Sequence, residues 1–254
     1  MMNLNKTLKL ALLLLFTLII THDIIGQSKK VKIAFVYHTD SVFALLKSKE
    51  HKNIARFRSE YYFTDSITFN INIRESWIHF FRSNLDSTIF EIHDVAMPLE
   101  VKDNYFFVTY KYTNGFWHAS RKLVDWFSQL HNEEQYDMVI ILHKPRLDFR
   151  YSEVFDLNNF PSYGLIHDRN WVYSLNSLYV YNSNDGKIIA QSGLKKYYDY
   201  IRILKGADLS KKGFNEVNSN DIKIALDEVI MINNDIGKSL IKKIIKFIKK
   251  KSKV

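Results

Sequence analysis

The 254-residue sequence has no cysteine, only three prolines and only eight glycines. Without thiols there can be no disulfide, no thiolate metal site and no cysteine nucleophile. A lipid-modified bacterial lipoprotein is excluded as well, because its anchor needs a cysteine at the cleavage point. The shortage of proline and glycine argues against a collagen-like or low-complexity chain. Several catalytic signatures are also missing. There is no G-x-S-x-G for a serine nucleophile, no P-loop or G-x-G-x-x-G for a nucleotide, and no H-E-x-x-H for zinc.

Hydrophobic residues make up 46% of the chain and aromatics 15%, enough to fill one sizeable core and to argue against wholesale disorder. The formal net charge of +9 looks like a nucleic-acid signal until it is located. Lys6 and Lys9 outweigh Asp23 at the amino end, and Lys238–Val254 holds eight lysines with no acidic residue. The stretch between them is formally neutral, so a nucleic-acid partner is not expected.

Residues 1–26 have the three-part form of a secretory signal. Lys6 and Lys9 make the positive start, Leu10–Ile20 the apolar stretch, and Gly26 offers a small residue before Gln27. The alternative is an uncleaved anchor, but the apolar run falls short of the roughly 20 residues that span a bilayer. Cleavage and export, to the periplasm or outside the cell, are expected. The division that follows is a signal at 1–26, an α/β domain at 27–220, and a carboxy-terminal helix with a basic amphipathic tail at 221–254.

The apolar run Met138–Leu142, preceded by Asp137 and followed by His143-Lys144-Pro145, predicts a strand buried on both faces that ends just before Pro145. Val31–Tyr37 predicts the first strand and Thr88–Val95 another. Helices are predicted at Val42–Lys47, capped by Asp40 or Ser41, and at Glu50–Phe63, where Ile54, Phe57 and Tyr61 have helical spacing. Ile67–Leu85 fits strand alternation at first and helix later, and a helix from about Asn70 is favoured. Tyr105–Tyr112 reads as a strand and Asn114-Gly115 as a turn. Leu123, Trp126, Phe127 and Leu130 mark a helix from Ala119. A long irregular stretch, Arg146–Ser162, follows. Tyr163–His167 and Asn176–Asn182 read as strands, the second joined through Asn184-Asp185-Gly186 to Lys187–Gln191 in a hairpin. Leu194, Tyr197, Ile201 and Leu204 suggest a helix, and Ser219-Asn220-Asp221 caps the last one. The expected class is α/β (α+β mixed), a single domain with a mixed sheet and packed helices.

On Ile33–Val36, Asp137–Leu142 and Asp185-Gly186-Lys187 the layout resembles the envelope α/β domains at the amino end of TolB and in CsgG-like proteins. His143-Lys144-Pro145 stands where such families usually carry a glycine-containing stretch. The resemblance implies an envelope assembly or binding role and carries over no catalytic residue.

Two patterns bear on function. Histidine, often with aspartate, ends several apolar runs: His38 with Asp40, His93-Asp94, His143 and His167-Asp168. Imidazole with carboxylate suits a divalent metal or a general base. Parallel strands would bring His38, His93 and His143 to one sheet edge. The candidate metal set is His38, Asp40, His93, Asp94 and His143, with Asp148 a further carboxylate, and the corresponding function is a metal-dependent hydrolase. The second pattern is the tail. On a helical wheel Ile241, Ile244, Ile245, Phe247 and Ile248 fall within about 160° of arc, and Lys242, Lys243, Lys246, Lys249 and Lys250 lie opposite. Such a helix lies on an anionic membrane surface or docks its apolar face on the sheet, and Gly237 would let it swing free. The function favoured by the sequence is an exported, non-catalytic envelope protein that binds a protein or membrane-surface partner.

Overall fold

The computed structural model of the chain describes residues 30–53, 58–102, 111–113, 116–118, 120–144, 160–192 and 201–251. Two five-stranded mixed sheets and their helices form a single α/β unit. In the first sheet, β1 (Val31–His38), β4 (Phe90–Asp94) and β7 (Met138–His143) run parallel, with β1 between the other two. Antiparallel β10 (Ser177–Asn182) and β11 (Ile188–Ser192) extend it beyond β7. β7 is therefore central, and all six of its residues are buried, as its unbroken apolar run predicts. The hairpin is present too. Gly186 closes its turn at φ 64°, where a side chain would be strained.

The second sheet corrects the sequence reading. Val42–Lys47 and Glu50–Phe63 are not helices. They belong to β2 (Val42–Asn53) and β3 (Arg58–Asn70), which pair antiparallel, while 54–57 lie outside the described residues. For Val42–Lys47 the cause is burial on both faces: Phe43, Ala44, Leu45 and Leu46 are fully buried. An apolar run without alternation does not distinguish strand from helix. β2 also pairs parallel with β8 (Tyr163–Ile166). β8 pairs with β9 (Trp171–Ser174), a strand not anticipated, and β9 with β12 (Ile201–Ile203). β12 replaces the end of the helix expected across Leu194–Leu204, and 193–200 lie outside the described residues. So do most of Tyr105–Tyr112, Asn114-Gly115 and residues 145–159 of the irregular stretch. Lys111–Thr113 (β5) pairs with Phe116–His118 (β6).

Among the described residues, four helices pack on this frame. α1 (Arg74–Asn84) starts four residues later than predicted, because β3 runs on to Asn70. α2 is a single turn, Leu99–Lys102. α3 (Arg121–Glu134) begins where Ser120 Oγ accepts the Leu123 N–H at 3.3 Å. It ends at Gln135 in the left-handed conformation. α4 (Ser219–Lys251) runs unbroken through Gly237.

The helices divide the first sheet's two faces. Ala34, Val36, Val139 and Ile141 meet Leu123, Trp126, Phe127 and Leu130 of α3 in a small core. Ile33, Phe35, Ile140 and Leu142 face the main core, which holds α1, α4 and the second sheet. α4 is tied to both sheets. Ser192 Oγ of β11 donates to the Ile236 carbonyl at 2.9 Å, and Ser174 Oγ of β9 donates to Asn233 Oδ1 at 2.6 Å.

Candidate functional site

The parallel strands bring some of the expected histidines together and separate others. His38 and His143 are direct partners across β1 and β7, at the carboxyl edge where open α/β sheets place ligands. Both project from the face that carries Val36 and Ile141. His93 does not join them, because it pairs with Ala34, four residues and about 13 Å back along β1. There its Nε2 lies 2.9 Å from Glu91 Oε1, and its ring is edge-on to Tyr136 at 5.6 Å. Asp94 points to the opposite face and pairs with Arg74 at 2.6 Å.

Asp40 lies in the three-residue connection from β1 to β2, where its carboxylate is committed to structure. Oδ2 accepts the Ser162 N–H at 2.8 Å and the Ser162 hydroxyl at 3.0 Å. Its carbonyl accepts the Tyr37 hydroxyl at 2.8 Å, and burial pushes the Tyr37 phenol up to about 12. Asp40 thus locks the start of β8 to the turn that carries the chain between sheets. His167 is also remote, since it follows β8 in the second sheet and its ring meets Phe214 at 5.5 Å. Asp168, beside it, accepts the Ser48 N–H at 2.7 Å. Asp148 lies outside the described residues.

No three histidine, aspartate or glutamate side chains converge to hold a metal ion among the described residues. The five-residue metal set is therefore not assembled as expected, because register and face scatter it. What remains is a pair of imidazoles with altered chemistry. His143 is 6% exposed, and burial first, then neighbouring His38, depress its pKa to about 3. Its ring lies 5.0 Å from that of Tyr179. Burial also lowers His38, reinforced by Lys102 and opposed by Asp40. A base that protonates near pH 3 is a poor proton acceptor at neutral pH, where general-base catalysis wants a pKa near the working pH.

The tail reading is resolved differently. Leu240, Ile241 and Ile244 are buried, and Ile245, Phe247 and Ile248 pack against the main core. The apolar face docks on the protein, and Gly237 does not release it. Lys238, Lys242, Lys246, Lys249 and Lys250 are exposed in a row along the outer side. Lys243 is half-buried and donates to the Gln191 carbonyl. No helix among the described residues is long and apolar enough to cross a membrane.

Fold and site define a mixed α/β protein whose parallel strands end in a histidine pair, His143 buried and His38 half-buried, and whose last helix carries a lysine ridge. Comparison with protein-family models, curated proteins and solved structures finds no match.

Proposed function

We propose that the protein is an exported, non-catalytic envelope protein that rests against an anionic membrane surface through the lysine ridge of α4. One observation carries the reading: the helix uses its apolar side for the core and presents lysines along the other. An amphipathic helix with a free apolar face inserts it among the acyl chains. Here only charge is on offer, so adsorption is electrostatic, peripheral and sensitive to salt. The leader of lysines and an apolar stretch supports export, and the TolB- and CsgG-like layout supports an envelope role. The metal-dependent hydrolase is the weaker reading, because the described residues bring no third ligand to His38 and His143 and burial holds the His143 imidazole neutral.

Removing Lys238–Val254 is a poor test, since Leu240, Ile241 and Ile244 would leave the core with it. Charge substitution is better. The expected result is that the protein co-sediments with vesicles of mixed phosphatidylglycerol and phosphatidylcholine at low salt but not with phosphatidylcholine alone. Combined replacement of Lys242, Lys246, Lys249 and Lys250 by glutamine should weaken binding at least tenfold, because each lysine near such a surface contributes on the order of 1 kcal/mol. Binding that ignores salt or these lysines would overturn the proposal.

A further inference from the structure

The opposite edge of the first sheet holds a cleft of about 370 Å³, between the last turns of α4 and the amino ends of β1 and β7. That volume is at the lower end of the range for small-molecule sites. Its lining is of two chemical kinds. Phe247 and Ile248 of α4 and Met138 at the start of β7 are apolar. Asp137, His131 and Asn184 are polar.

The polar groups are held in place and keep capacity to spare. Asp137 Oδ2 accepts the Lys32 N–H at 2.9 Å, and Oδ1 receives no hydrogen bond from the described residues. His131 Nδ1 lies 2.9 Å from the Tyr136 carbonyl. A carbonyl only accepts, so Nδ1 carries a proton, and in the neutral ring Nε2 is an acceptor. Asn184, exposed in the β10–β11 turn, adds an amide that both donates and accepts.

We infer that this cleft binds a neutral saccharide unit. A pyranose has apolar ring faces of C–H groups and an edge of hydroxyls, which matches a lining that combines aromatic and aliphatic carbon with acceptors and an amide. Charged ligands fit less well. Asp137 repels an anion, and the lysines flanking Phe247 and Ile248 disfavour an organic cation. The cleft lies beside the lysine ridge, whose Lys246 and Lys249 flank Phe247 and Ile248, but a neutral sugar draws on neither charge, and its test does not depend on membrane binding.

The experiment is NMR titration of the purified protein with the methyl pyranosides of glucose, galactose, mannose and N-acetylglucosamine, with tetramethylammonium as the cationic control. The expected result is saturable binding of at least one sugar, with a dissociation constant on the order of 1–10 mM, the weak range open to a ligand of few atoms. Phe247→Ala should weaken it at least fivefold. Asn184→Ala, at an exposed turn position that leaves the fold intact, should weaken it at least threefold. Lysine-ridge variants should bind as the parent does. The inference is overturned if no sugar saturates, if neither substitution changes binding, or if only the cation binds.

Discussion

His143 ends a strand whose six residues are all buried, and enclosure changes what its imidazole can do. Its folded pKa, about 3, is below the roughly 6.5 of a free histidine. The unfolded chain therefore takes up a proton at this residue as pH falls through 6.5, while the folded chain does not until about pH 3. Stability from this group is complete above pH 6.5 and is lost progressively below it. Between pH 7 and pH 5 the loss amounts to about 2 kcal/mol. Urea titrations of the parent and of His143→Leu at the two pH values measure it. The parent should lose about 2 kcal/mol more than the variant over that interval; equal losses would show that the imidazole is not held neutral. The neighbourhood of His38 and His143 was legible in the sequence, because both end apolar runs that proved parallel and in register. The remoteness of His93 was not. Its position depends on how β4 slides against β1, and nothing local in Thr88–Val95 records that offset.

Among the elements, α4 shows most plainly what pattern leaves undecided. Alternating apolar and lysine faces describe a docked helix and a membrane-lying helix equally well, and only the facing surface chooses between them. Gly237 marks the choice. In an exposed helix, alanine in place of glycine stabilises by roughly 1 kcal/mol. Here a Cβ at position 237 would sit 2.2 Å from Phe80 Cε1 of α1. The Phe80 ring is itself buried and packs edge-on against both Trp77 and Phe81, at 6.3 and 5.5 Å. Gly237→Ala should therefore destabilise by about 1–3 kcal/mol, the cost of overpacking. A gain in the denaturation midpoint would mean that α1 and α4 are not in this close contact. β2 was misread for a related reason. Burial of Phe43–Leu46 on both faces removes the alternation that identifies a strand, and the parallel partner β8 comes more than a hundred residues later. α3, by contrast, was recognisable from its own sequence, since its apolar stripe faces one sheet and its serine cap is local.

At the scale of the whole molecule, a three-residue connection carries the chain from β1 of one sheet into β2 of the other. The two sheets then share one core. Phe35 of β1, Leu45 of β2, Phe81 of α1, Leu165 of β8 and Val229 of α4 are all fully buried in a single cluster. Neither sheet can keep its apolar face covered once α4 leaves, because Asn233 and Ile236 tie that helix to both. The sheets should therefore unfold together, in one transition with the same midpoint wherever it is read. Tryptophan provides the reporters: Trp77 is 1% exposed in α1 beside the first sheet, and Trp171 packs from β9 in the second. Variants that retain only one of these, with phenylalanine at the other tryptophan positions, should give coincident urea midpoints and equal slopes. A lower midpoint at Trp171 would separate the second sheet as an independent unit. It would also move the natural division of the chain from the start of α4 to the short crossing between β1 and β2.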